Sequence, residues 1–72
     1  MTSIRALDGD LYPLTDDAII RLDGERQPGR WYVDLVYRDW PDRLVPIKWF
    51  TRFSDARQCA NRLALHLPGR AS

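Results

Sequence analysis

Cys59 and His66 are the single cysteine and the single histidine of the 72-residue chain. A nucleophile and base pair would need these two in hydrogen-bond contact. They lie seven positions apart in a segment with helical periodicity, about two turns. Yet Cys59 falls on the apolar side and His66 towards the polar side. The plainer expectation is a small buried hydrophobe at Cys59 and a solvated helix residue at His66. Asp16, Asp17 and Asp23 offer hard oxygen ligands, but their spacing matches no cation loop, and turn or edge roles suit them better. No glycine-rich segment of the phosphate-cradling kind is present. The sequence thus predicts a non-catalytic protein with no cofactor and no metal site.

Composition narrows the choice further. Hydrophobic residues make up 44% and charged residues 29%, so the chain is expected to form one small globular domain. Eleven basic and ten acidic residues give a net charge of +1, which argues against a binder driven by overall charge. One cysteine allows no internal disulfide, and a reducing cytoplasmic setting is expected. No apolar run has the length of a membrane span or a signal peptide.

The elements that would position any site centre on residues 31–53, WYVDLVYRDW-PDR-LVPIKWFTRF. β-branched and aromatic residues dominate this stretch, and they alternate. Trp31, Val33, Leu35 and Tyr37 form one row. Val45, Ile47, Trp49, Thr51 and Phe53 form another. The pattern predicts strands over 31–39 and 44–53, turning around Trp40, Pro41 and Asp42. Pairing numbers that sum to 82 would bring the two rows together, with Val33 by Trp49, Leu35 by Ile47 and Tyr37 by Val45. Pro46 cannot donate to a ladder, so the second strand should be an edge.

Residues 15–23, TDDAIIRLD, could be a short capped helix. The alternation of Ala18, Ile20 and Leu22 favours a strand over 16–23. A sum of 55 would place it beside the central strand, with Ile20 by Leu35, Arg21 by Asp34 and Ile19 by Val36. GERQPG is the connector, with Gly24, Pro28 and Gly29 as loop residues. Ser54 is a suitable N-cap and Asp55 suits the positive end of a helix dipole. Ala56, Cys59, Ala60, Leu63 and Leu67 then recur at helical spacing, predicting a helix over 55–67 that Pro68-Gly69 ends. Small residues on that helix would let it approach Trp31 and Trp49. Residues 1–14 read as an irregular arm with a turn at Asp8-Gly9-Asp10. The tail from Arg70 to Ser72 is expected to be loose. The expected fold class is α+β, a three-stranded antiparallel meander with one C-terminal helix packed on one face, β-β-β-α.

The sheet face away from the helix would show Ile19, Arg21, Tyr32, Asp34, Val36, Arg38, Leu44, Pro46, Lys48, Phe50 and Arg52. Placed between Arg21 and Lys48, Asp34 would answer both charges. An apolar centre with a polar rim is the usual mark of a protein contact. The leading expectation is therefore a protein partner bound through Ile19, Tyr32, Val36 and Phe50, with Arg38, Arg52 and Lys48 around them.

Nucleic acid is the alternative partner for the same face. Tyr32 and Phe50 would stack on bases while Arg38, Lys48 and Arg52 hold phosphates. GRWYVDLVY followed by IKWFTRFSDARQCANRL, Gly29 to Leu63 with its F-S-x-A step at Phe53 to Ala56, resembles the arm-type DNA-binding domain of tyrosine recombinases. The resemblance implies that Tyr32, Lys48, Phe50 and Arg52 lie on a groove-reading face. In general style, by small size and aromatic content, the chain also resembles small phage-encoded inhibitors such as anti-CRISPR proteins. A third expectation needs no outside partner. The segment Leu7 to Leu14, or a second copy in a homodimer, could cover this face, because very small domains gain stability by such covering.

Overall fold

The computed structural model describes residues 3–65. Five strands and one helix follow in chain order: β1 (Ser3–Arg5), β2 (Leu11–Pro13), β3 (Ala18–Asp23), β4 (Trp31–Tyr37), β5 (Trp40–Phe50) and α1 (Phe53–Leu65). The three-stranded antiparallel sheet β3-β4-β5 and the C-terminal helix agree with the sequence reading. The fold goes beyond the expected β-β-β-α in one respect, a separate two-stranded sheet made by β1 and β2. His66, Leu67, the Pro68-Gly69 stop and the tail lie outside the described residues.

The arm expected to be irregular is a β-hairpin. Ser3, Ile4 and Arg5 pair with Pro13, Tyr12 and Leu11. Its turn is closed by the Asp8 carboxylate, which accepts the Asp10 amide at 2.9 Å, and by Gly9, whose φ of 90° suits a residue without Cβ. The hairpin does not cover the outer face. It packs on the same face as the helix, where Ala6 and Leu14 join Ala18, Leu35, Val45 and Ile47 in one cluster. The helix covers the other half of that face. Ala56 and Ala60 are buried against Val33, with Trp31, Leu22 and Phe50 around them.

Small residues allow that close approach, as expected for Trp31 though not for Trp49. The Trp31 ring meets Phe53 edge to face, with centroids 4.8 Å apart. It also lies against Gly24 so closely that a Cβ there would sit 2.3 Å from the indole. The helix begins earlier than Ser54 suggested. The Arg52 carbonyl accepts the Ala56 amide at 3.2 Å, so Ser54 stands inside the first turn rather than at the cap.

Register follows expectation on one side of β4 and departs from it on the other. Between β3 and β4 the pairs run from Ala18 with Tyr37 to Asp23 with Tyr32, the sum of 55 throughout. Between β4 and β5 the sum of 82 is not found. Leu35 pairs with Val45 and Val36 with Leu44, whereas Val33 pairs with Lys48, Tyr32 with Trp49 and Trp31 with Phe50. Two irregularities account for this. The chain turns at Arg38-Asp39, and Trp40 already pairs with Tyr37, so Pro41 to Arg43 bulge out of the ladder. A second bulge leaves Ile47 without an opposite residue, between Asp34 paired with Pro46 and Val33 paired with Lys48. Pro46, which lacks an amide hydrogen, sits at that bulge on an edge strand, where proline is tolerated.

One extra residue reverses parity for everything after it. Val45 and Ile47 face the core as predicted. Beyond them Lys48 and Phe50 turn to the helix side, and Trp49 turns outward.

Candidate functional site

Three cross-strand rows make the outer face. The first joins Ile19, Val36 and Leu44 across the sheet. Arg21, Asp34 and Pro46 form the second, and Asp23, Tyr32 and Trp49 the third. The first two rows differ in how open they are. Ile19 is 46% exposed, and Val36 and Leu44 are half-buried. Beside them, Asp34 is completely buried.

What buries Asp34 is the connector between β3 and β4. Arg26 reaches back from it and donates two hydrogen bonds to the Asp34 carboxylate, at 2.9 and 2.5 Å. The same guanidinium lies 3.2 Å from Asp23 and 4.5 Å from the centre of the Tyr32 ring. Contact with the Asp34 carboxylate, followed by the nearby charges, holds the Arg26 guanidinium above its ordinary range. Asp23 is held below the ordinary carboxylate value, chiefly because the Glu25 amide donates to it at 2.9 Å. From the same loop, Gln27 accepts the Tyr32 hydroxyl at 3.0 Å, and Arg30 lies 4.1 Å from the centre of a Trp49 ring. The expected pairing of Asp34 with Lys48 is therefore replaced by a cation from the loop. Arg21 stands opposite Asp34 as expected, but no ion pair to it occurs among the described residues.

The predicted contact residues do not all meet. Ile19, Tyr32 and Val36 share the outer face. Phe50 does not; it packs with Trp31 and Ala56 under the helix. Lys48 follows it, lying 5.5 Å from the Phe50 ring. Arg38 stands in the turn after β4, and Arg52 in the bend before α1. The bulge at Ile47 is the cause for Lys48 and Phe50. Trp49, Arg26 and Arg30 belong to this face and were missed. Unbroken alternation places Trp49 in the core, and the bulge at Ile47 turns it outward. The signal available for the arginines was Asp34 itself, a carboxylate within an apolar strand that needs a cation from a neighbouring loop.

Cys59 is partly buried against the Val33, Ala56 and Ala60 cluster, and burial pushes its thiol up. That is the opposite of what a reactive thiolate needs. Among the described residues, no group of three or more His, Cys, Asp or Glu side chains could hold a metal ion. Among them, too, no helix is long and apolar enough to cross a membrane. The chain matches no protein-family model, no characterised protein and no solved structure.

Proposed function

We propose that this protein is a non-catalytic binding module that holds a protein partner on its outer sheet face, in the manner of a small inhibitor or adaptor. One observation carries the reading: the row Ile19, Val36 and Leu44 is apolar and partly open, while the acid beside it, Asp34, is already answered by Arg26. An apolar strip bordered by Arg21 suits a protein surface better than a phosphate backbone. Affinity for nucleic acid rests on cations free to neutralise phosphates. Here Arg26 is committed to Asp34 and Asp23. Stacking of bases needs bare ring faces, and the Tyr32 and Trp49 rings each carry a guanidinium.

Ile19→Ser combined with Leu44→Ser is the direct test. Capture of a partner from the native host should be lost while the protein stays folded with only a modest fall in thermal midpoint, since Ile19 is exposed and Leu44 half-buried. Unchanged capture by the double variant would refute the reading. A gel-shift series across salt addresses nucleic acid: retention that weakens steeply with salt would move the function to that class.

A further inference from the structure

The two edges of the main sheet are not alike. On the β5 edge, Pro46 has no amide hydrogen to offer, and its carbonyl already accepts the Leu7 amide at 3.0 Å. The β3 edge has no such guard among the described residues. Its hydrogen-bond phase is set at the start of the strand, where the Arg38 amide donates to the Asp17 carbonyl at 2.7 Å. Antiparallel pairs alternate between bonded and non-bonded. The backbone groups of Ile19, Arg21 and Asp23 therefore point to β4, and those of Ile20 and Leu22 point away from the sheet. An edge with unpaired amides and carbonyls is a template for another strand.

We infer that β3 pairs antiparallel with β3 of a second copy, about a two-fold axis at Leu22, making a continuous six-stranded sheet. Charge selects the register. Two-fold pairing of one strand with its own copy can centre on Ile20, Arg21 or Leu22. Centring on Arg21 sets it against Arg21 of the copy. Centring on Ile20 sets Asp17 against Asp23. Centring on Leu22 sets Arg21 against Asp23 twice, once on each side of the axis, and both side chains lie on the outer face. The outward amide and carbonyl of Leu22 then bond those of its copy, and the Arg21 and Asp23 pairs fall at the closer, non-bonded positions. Arg21 lacks an ion partner within its own chain among the described residues, and the dimer supplies one. This interface shares β3 with the proposed partner-binding row, whose Ile19 lies three positions before the axis, and it would join the two outer faces into one.

Charge exchange tests the pairing. Sedimentation of the unaltered protein should show a monomer–dimer equilibrium. Arg21→Glu sets acid against acid, and Asp23→Lys sets base against base. Each alone should weaken dimerisation by roughly tenfold or more, because each change acts twice across the axis. Mixed one to one, the two variants become complementary again and should form heterodimers. Should a variant fail to fold, amide exchange of the unaltered protein gives the answer. Exchange at Leu22 should slow as concentration rises, while exchange at Arg21, bonded within the sheet, should not respond. A monomer at millimolar concentration, or folded variants that dimerise alone as well as the parent, would overturn the inference. Loss of partner capture through Ile19 and Leu44 would leave it standing.

Discussion

Asp34 is a charged group placed where water cannot reach it, and that placement is tolerable only with a cation fixed beside it. Arg26 fills the role from eight residues away in sequence. Removing one member of such a pair typically costs about 3–5 kcal/mol, because the other is left uncompensated. The Arg26 side chain is 28% exposed, so water can partly replace it. Arg26→Leu is therefore expected at the low end, about 3 kcal/mol. Asp34→Asn should cost less, since the amide oxygen still accepts from Arg26. Denaturant unfolding of both variants checks this ordering. If Arg26→Leu proved the milder change, Asp34 would have to find another cation or open to water. None of this pairing was legible from alternation, because a loop has no period. The buried acid was visible as a residue, and its partner was not.

At the scale of elements, the β1-β2 hairpin carries its own acid-sensitive lock. The Tyr12 hydroxyl donates to the Asp8 carboxylate at 2.7 Å, and Arg43 of β5 donates to the Tyr12 oxygen at 3.2 Å. The Tyr12 hydrogen bond, then that of the Asp10 amide, holds Asp8 below its ordinary value of 3.8. The same contact raises Tyr12, as expected when a phenol donates to an ionised carboxylate. A depressed carboxylate contributes stability that is present above its unfolded value and lost as pH falls through the folded one. Acid should thus loosen the hairpin only below the ordinary carboxylate range. In Tyr12→Phe the Asp8 titration should move up towards 3.8, read by carboxyl carbon resonance across pH. No movement would mean that the hydroxyl contact does not form in solution.

The same scale shows what sequence could and could not tell. Residues 18–23 and 31–37 alternate without interruption, so their faces and their register could be read directly. The bulge at Ile47 changes no composition and no alternation. It is a property of how β5 meets Asp34 and the Leu7 amide, and these belong to other elements. The two-stranded arm was hidden for a similar reason. Three-residue strands are too short to show a period, and their apolar residues only make sense against Leu35 and Val45.

The whole molecule rests on one sheet face covered by two unrelated lids. The helix closes one half with Ala56 and Ala60, and the hairpin closes the other with Ala6 and Leu14. Leu14 is 2% exposed, and burying such a side chain contributes roughly 1.5–3 kcal/mol. A domain of this size has a total stability on the order of 5 kcal/mol. Deleting residues 1–14 would also uncover Leu35, Val45 and Ile47. The shortened chain is expected to lose its cooperative thermal transition and to bind a hydrophobic dye. A sharp transition at the parent's midpoint would show that the hairpin is dispensable to the core.

The unpaired residue of β5 makes the strand tolerant of shortening at one place and intolerant a step later. Without Ile47, Pro46 would still stand opposite Asp34 and Lys48 opposite Val33, so Trp49 would stay outside and Phe50 beneath the helix, and the loss would be one core side chain. An extra residue between Lys48 and Trp49 would instead deliver an indole to the alanine side of the helix and leave a phenyl ring in water. A lineage could therefore drop the bulge and keep both faces, while the residue count between Lys48 and Phe50 must stay fixed.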